Sequence, residues 1–135
     1  MKVFVDTSGT YALLDAGNVD YSAALDAWTQ VVHRGHLMVT SLYVVVETCA
    51  LLQKRFGISA VRKFLGDVLP AIMIEWVDVN LHTVGINGVL TSARSGPSLV
   101  DCVSFAIMRQ LGIQTAFTFD RHFQEQGFDC KPHIA

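Results

Sequence analysis

Four short apolar runs are spaced along this chain, and segments with helical periodicity separate them. The runs lie at residues 2–5, 37–40, 72–79 and 114–119. Short, continuous apolar runs are typical of strands that are buried on both faces of a sheet. The tail, residues 128–135, is predicted to add a short edge strand. The pattern therefore predicts four to five strands.

Helices are predicted between these strands, at residues 11–14, 20–34, 42–56, 59–69, 80–94 and 98–111. Ser41 and Asn80 are expected N-caps, and Ser98-Leu-Val-Asp101 has the S-x-x-D form of a capping box. Strands that alternate with helices indicate a parallel sheet covered by helices on both faces. The predicted fold class is therefore α/β, a three-layer α/β/α sandwich around a central, mostly parallel sheet of four to five strands.

Four acidic residues stand out because their neighbours in the sequence are apolar. Asp6 follows the first predicted strand, and Asp120 follows the fourth. Asp101 lies in the first turn of the last long helix, and Glu47 lies inside a helix that is apolar nearly all round. Ligands of parallel α/β sheets bind at the carboxyl ends of the strands. We therefore predict that these four acids form one metal site.

Each acid also has a purely structural explanation. Asp6 and Asp120 could cap the helices that follow them, and Asp101 fits a capping box whatever its function. Glu47 is predicted to be buried, where a carboxylate without a partner is costly. Its structural alternative is an ion pair with one of the basic residues two turns along the helix, Lys54 and Arg55. One shared site explains all four acids together, whereas these alternatives explain them one at a time.

The chemistry expected of such a site follows from its ligands. Carboxylate oxygens without His or Cys favour Mg²⁺ or Mn²⁺ over Zn²⁺, and such ions support phosphodiester cleavage. The three aspartates are the expected direct ligands, and Glu47 is expected to ligate or to orient the attacking water. Hydroxyl groups that could support the ligands are those of Thr7, Ser104 and Thr118. His122 could touch a substrate phosphate, although a surface role is favoured.

Composition limits the class of protein. The 135 residues are predicted to form a single domain, residues 1–135. A chain that is 51% hydrophobic and only 16% charged is expected to bind a partner or to form an oligomer. The net charge of −2 argues against a passive nucleic-acid binder but not against a metal nuclease. Three cysteines without CxxC spacing fit a reducing, cytoplasmic location, and no signal peptide or membrane segment is expected.

Taken together and in order, several short motifs resemble the PIN-domain family, and most closely its VapC-type toxins from toxin–antitoxin pairs. The motifs are Val5-Asp-Thr-Ser8 with Ala12-Leu-Leu14, Glu47-Thr-Cys-Ala-Leu-Leu52, Ser98-Leu-Val-Asp101 with Cys102, Ser104-Phe-Ala-Ile107, and Thr118-Phe-Asp-Arg-His-Phe123. Each motif alone is weak, but their spacing is similar to that of the family. The resemblance covers essentially the whole chain.

The resemblance implies a fold, an activity and partners. It implies a PIN-like parallel α/β/α sandwich that acts as a Mg²⁺- or Mn²⁺-dependent ribonuclease on an RNA substrate. By position, the family's acidic residues fall on Asp6, Glu47, Asp101 and Asp120, and its polar helper falls on Thr118. It also implies a homodimer and a neutralising antitoxin, whose tail lies across the acidic site.

Three other functions remain open from the sequence. The same metal site could belong to a DNA nuclease, although a flap nuclease would need a longer arch than this chain offers. A PIN-domain protein could process RNA without any antitoxin. A small open reading frame upstream would distinguish a toxin from such an RNA-processing protein. The acids could instead be structural parts of a non-catalytic binding module, which would show no Mn²⁺-dependent cleavage and no loss on Asp6→Asn.

Overall fold

A five-stranded parallel sheet lies at the centre of the computed structural model, which describes residues 1–134. The strands are β1 (Lys2–Val5), β2 (Leu37–Ser41), β3 (Ile72–Glu75), β4 (Thr115–Phe117) and β5 (Asp129–Lys131). Their order across the sheet is β3-β2-β1-β4-β5, and every neighbouring pair is parallel. The predicted tail strand is present as β5, while residue 135 lies outside the described part.

Helices connect the strands. They are α1 (Thr7–Leu14), α2 (Tyr21–His33), α3 (Leu42–Phe56), α4 (Ile58–Lys63), α5 (Val79–Thr91), α6 (Leu99–Leu111) and α7 (Arg121–Glu125). A π-helical turn (Phe64–Val68) and a 3₁₀ turn (Leu69–Ala71) continue α4 towards β3. Across residues 1–134, none of these helices has the length and apolar character that crossing a bilayer requires.

Alternate side chains of the strands point to opposite faces of the sheet, and each face has its own core. On β1, Val3 and Val5 pack on one face with residues of α1, α2 and α4. Phe4 points to the other face and packs with residues of α6 and α7. The sheet is therefore buried between two layers of helices, as the continuous apolar runs predict. The predicted α/β sandwich is confirmed.

The register of the central strands brings three strand ends to one edge of the sheet. Phe4 of β1 is paired with Val39 of β2 and with Ala116 of β4. Just beyond β1, the backbone N–H of Asp6 donates to the carbonyl of Phe117 at 3.1 Å. Residue 6 is thereby fixed beside the segment that follows β4, at the carboxyl edge of the sheet.

The third strand is shorter than the sequence predicts. The apolar run continues to residue 79, but β3 ends at Glu75, and Trp76 is 71% exposed. Asp78, rather than the predicted Asn80, caps α5, because its Oδ1 accepts the backbone N–H of Leu81 at 2.9 Å. An apolar run therefore gave the wrong strand end here, since its last residues are not buried in the sheet.

The helix that carries Asp101 is packed closely against its neighbour. A Cβ added at Gly85 of α5 would lie 2.5 Å from Cγ2 of Val103, and one added at Gly88 would lie 3.1 Å from Sγ of Cys102. Position 85 therefore needs glycine for α5 and α6 to approach so closely, and a side chain at position 88 would be tightly packed against Cys102. This contact packs α6, which carries Asp101, closely against α5.

Candidate active site

A cleft of about 380 Å³ opens at the carboxyl edge of the sheet. The four acids named from the sequence all line it: Asp6, Glu47, Asp101 and Asp120. They come from four separate places in the fold, namely the end of β1, the middle of α3, the start of α6 and the segment after β4. The structure therefore brings all four together, while their role as metal ligands stays a prediction.

Asp6 is the most deeply buried of these carboxylates, with 3% exposure. Its Oδ2 accepts hydrogen bonds from the Ser8 hydroxyl at 2.7 Å and the Thr118 hydroxyl at 2.8 Å, and it also caps α1. Burial raises the pKa of Asp6 to about 6, although these two hydrogen bonds oppose the shift and the charges of Asp101 and Asp120 add to it. Asp6 is therefore both a cap and a member of the site.

Ser8 and Thr118 connect Asp6 to the segment after β4. The Thr118 hydroxyl accepts the backbone N–H of Asp120 at 3.0 Å, and the Ser8 hydroxyl accepts the backbone N–H of Phe119 at 2.9 Å. Thr118 was expected as a supporting hydroxyl, whereas Ser8 was named only as the end of the motif Val5-Asp-Thr-Ser8. The position of Ser8, two residues after Asp6, was the sequence feature that could have indicated a hydrogen bond between the two side chains.

Asp101 combines the capping role with a place in the cleft. Its Oδ2 accepts the backbone N–H of Ser98 at 3.0 Å, and the Ser98 hydroxyl accepts the backbone N–H of Asp101 at 3.1 Å, so the predicted capping box is present. Burial raises the pKa of Asp101; the Ser98 hydrogen bonds oppose this, and the charges of Asp120 and Glu47 reinforce it.

Asp120 caps α7 and contacts a histidine. Its Oδ1 accepts the backbone N–H of His122 at 2.9 Å and lies 2.9 Å from Nδ1 of the same residue. The imidazole of His122 also approaches Oδ2 of Asp101 at 4.0 Å. The sequence interpretation favoured a surface role for His122, whereas the structure places its half-buried ring against two of the four acids. His122 lies in the first turn of the helix that Asp120 caps, and this position could have predicted the contact between the two side chains.

The pKa of His122 reflects these neighbours. Partial burial alone would lower the pKa of the imidazole, but the carboxylates of Asp120 and Asp101 and a contact with the carbonyl of Ser95 raise it overall. The ring is therefore held among acceptors of hydrogen bonds.

Glu47 lines the cleft from α3, and its environment differs from the prediction. The helix α3 is not buried all round, because Val46 is 61% exposed and Glu47 itself is half-buried. The expectation of a buried carboxylate in an apolar helix was wrong, since one side of α3 faces outwards. Within residues 1–134, neither Lys54 nor Arg55 forms an ion pair with Glu47.

The other two hydroxyls predicted to support the acids are engaged elsewhere. Thr7 and Thr48 share a buried hydrogen bond of 3.0 Å that joins α1 to α3 next to Glu47. Ser104 donates to the carbonyl of Val100 within α6 at 2.8 Å. Thr7 therefore holds the helix that carries Glu47, whereas Ser104 makes no hydrogen bond to an acid among the described residues.

Comparison with known proteins places this geometry in a family. Residues 3–129 match the sequence profile described as the PIN domain. The chain belongs to the PIN domain family. The resemblance predicted from the sequence motifs is therefore confirmed.

Relatives of this PIN domain are named endonucleases. The chain is 33% identical over 127 residues to the 23S rRNA-specific endonuclease VapC20 of Mycobacterium tuberculosis, in strains CDC 1551 and H37Rv, and the match covers 93% of this chain and 95% of VapC20. The crystal structure of VapC20, titled as a sarcin-ricin loop cleaving toxin, superposes with a TM-score of 0.84. That match has 33% identity and covers 93% of this chain and 95% of the other.

The residues of this PIN domain fit a hard divalent cation. Five acidic residues line the cleft, the four predicted ones and Asp20, and none of the described residues that line it is Lys or Arg. Ligand atoms of Asp101, Asp120 and His122 all lie within 4.8 Å of one another. Grouped carboxylates repel one another, and a cation removes that repulsion. The donor set therefore suits Mg²⁺ or Mn²⁺ by the oxygen-rich chemistry of its ligands.

Proposed function

We propose that this chain is a Mg²⁺- or Mn²⁺-dependent endoribonuclease and the toxin of a toxin–antitoxin pair. The observation that carries the proposal is the single cleft that Asp6, Glu47, Asp101 and Asp120 all line. This cleft occurs in a chain that is 33% identical to an endonuclease of ribosomal RNA over nearly its full length. Neither observation alone identifies the reaction. The cluster of acids requires a cation, and the relative cleaves RNA, so both support metal-dependent cleavage of RNA.

The proposed substrate is RNA of the large ribosomal subunit. The relative VapC20 is named as specific for 23S rRNA, and its structure is titled as that of a sarcin-ricin loop cleaving toxin. An oligonucleotide with the sequence of that loop is therefore the first substrate to test. A matched oligonucleotide with a scrambled loop tests whether the loop itself is recognised.

Asp6, Asp101 and Asp120 are proposed to hold the cation, with Glu47 as a further ligand or as the group that orients the attacking water. A divalent cation bound there supplies the positive charge that balances these acids and makes a bound water a better nucleophile. Thr118 and Ser8 both donate hydrogen bonds to Oδ2 of Asp6, so neither of these hydroxyls occupies Oδ1. Glu47 also lines the cleft, and its carboxylate is proposed to accept a proton from the attacking water.

The decisive experiment measures RNA cleavage with Mg²⁺, with Mn²⁺ and with EDTA. We expect cutting that needs a divalent cation and that is lost in Asp101→Asn. Asp129→Asn is the matched control, because Asp129 is an exposed aspartate on β5 that does not line the cleft. Cleavage that persists in EDTA, or that Asp101→Asn leaves unchanged, contradicts the proposed function.

Two protein partners are also proposed. The outer side of α5 carries an apolar stripe, Val79, Ile86 and Leu90, with exposures of 79%, 38% and 77%. Apolar area of this kind on a small protein is typical of an interface, and a second copy of the chain is the proposed occupant. The proposed antitoxin covers the acidic cleft. Co-purification with the product of a small upstream open reading frame, with loss of RNA cleavage, tests the antitoxin.

A further inference from the structure

The imidazole of His122 lies next to two carboxylates of the cleft, and one ligand atom from each of the three residues lies within 4.8 Å of the other two. Nδ1 of His122 lies 2.9 Å from Oδ1 of Asp120 and 4.0 Å from Oδ2 of Asp101. Neighbouring ligand atoms in an octahedral shell are about 3 Å apart, and opposite ones are about 4 Å apart. The spacing of one nitrogen and two oxygens here is therefore compatible with a shared cation.

The second ring nitrogen of His122 is directed at the backbone. Nε2 lies 3.3 Å from the carbonyl oxygen of Ser95, in the loop between α5 and α6. Because a carbonyl only accepts hydrogen bonds, this contact places a proton on Nε2. Nδ1 lies 2.9 Å from a carboxylate oxygen of Asp120 and releases its own proton to solvent when it binds a cation. Histidines that ligate metals commonly donate their second N–H to a backbone carbonyl or carboxylate, which fixes the tautomer and the ring orientation. His122 is thereby oriented as a ligand would be.

We propose that His122 is a nitrogen ligand of the divalent cation, alongside Asp101 and Asp120, and that it makes the site prefer Mn²⁺ over Mg²⁺. This inference rests on the proposed metal-dependent function and extends it to a specific ligand and ion. Carboxylates bind both ions well, whereas an imidazole nitrogen favours transition metals over the hard Mg²⁺. A site built from the four acids alone has no such preference.

His122→Asn is the variant that separates ligation from simple orientation of Asp120. An asparagine amide retains an N–H donor for Asp120 but lacks the ring nitrogen lone pair. His33→Gln is the matched control, because His33 is an exposed histidine in the last turn of α2. Circular dichroism melting of the metal-free proteins shows whether each variant folds.

Two measurements on the full chain test the proposal without relying on activity. Titration calorimetry gives the affinities for Mn²⁺ and Mg²⁺, and pulsed electron paramagnetic resonance of bound Mn²⁺ detects coupling to a ligand ¹⁴N nucleus. We expect ¹⁴N coupling in the wild type and in His33→Gln, but not in His122→Asn. We also expect His122→Asn to weaken Mn²⁺ binding about 10-fold or more, with a change of about twofold or less for Mg²⁺.

Several results would overturn the proposal. Bound Mn²⁺ without ¹⁴N coupling in the wild type excludes His122 as a ligand, and this result needs no variant to fold. Equal losses of Mn²⁺ and Mg²⁺ affinity in His122→Asn assign the residue to orienting Asp120 alone. A wild type that binds neither ion contradicts the proposed function too, whereas one that binds both only through oxygen contradicts the histidine ligand alone.

Discussion

The hydroxyl of Thr118 donates a hydrogen bond of 2.8 Å to Oδ2 of Asp6, across 112 residues of chain. Both residues are buried, and the same hydroxyl accepts the backbone N–H of Asp120. One side chain thus connects the acid after β1 to the acid after β4. This connection depends on the parallel pairing of β1 with β4, which sets the two strand ends side by side.

Thr118→Val tests this connection, because valine has nearly the same shape without the hydroxyl. We expect metal affinity and RNA cleavage to fall about 10- to 100-fold, since Asp6 loses an orienting partner. The free energy of unfolding should fall by about 1–3 kcal/mol, because buried groups of Asp6 and Asp120 lose a hydrogen bond. Calorimetric titration and urea unfolding measure the two effects. Thr118→Ser keeps the hydroxyl and should restore most of both; equal behaviour of the two variants contradicts the role of the hydroxyl.

Variants of Asp101 and Ser98 distinguish the helix-capping role of Asp101 from its proposed role as a metal ligand. Asp101→Asn keeps an oxygen that accepts the backbone N–H of Ser98 but removes the charge, so we expect nearly complete loss of cleavage with little loss of stability. Ser98→Ala removes the acceptor of the Asp101 N–H, and should lower the free energy of unfolding by about 1 kcal/mol. Cleavage by Ser98→Ala should stay within a few-fold of wild type. The prediction is wrong if the two variants lose cleavage to the same extent.

Much of the fold follows from local sequence patterns. The run at residues 2–5 matches β1, and the capping box at Ser98 marks the start of α6 within one residue. These features depend on neighbours in the sequence, so a single chain reveals them. The strand order β3-β2-β1-β4-β5 was beyond such patterns, because it depends on which helix crosses which face.

The sequence predicted that the four acids lie at one cleft, but it did not predict the contacts that surround them. The four acids were identifiable because a carboxylate is unusual in an apolar segment. The half-buried environment of Glu47 could not be predicted, because the exposure of one side of α3 depends on which elements pack against that helix. Contacts such as Ser8 with Phe119, or His122 with Asp101, join residues whose proximity only the folded chain defines.

The apolar stripe on α5 predicts how the proposed dimer can be broken. Leu90→Glu places a charge on a side chain that is 77% exposed in the single chain, so the fold should tolerate it. At an interface the same charge would be desolvated, and we expect a monomer by analytical ultracentrifugation. Val19→Glu is the matched control, because Val19 is 95% exposed and lies in the loop before α2. Dimers that persist in Leu90→Glu exclude this stripe as the interface.

The raised pKa of Asp6 predicts how stability depends on pH without metal. Its pKa rises from 3.8 to about 6 on folding, so the folded state holds the proton more tightly than the unfolded state. The stability that Asp6 contributes is therefore present below about pH 4 and lost as the pH rises through 6. The loss amounts to about 2 kcal/mol between about pH 4.5 and 7. The raised pKa values of Asp101 and His122 act in the same direction.

Urea unfolding in EDTA at these two pH values measures the effect, and Asp6→Asn isolates it. The variant has no titrating group at position 6 and should lose about 2 kcal/mol less than the wild type over the same interval. With excess Mg²⁺ or Mn²⁺ the wild-type trend should weaken or reverse, because a cation binds the deprotonated acids and its stabilisation grows with pH. Identical pH profiles of wild type and Asp6→Asn in EDTA contradict a raised pKa at Asp6. A profile that added cation does not change contradicts the metal site.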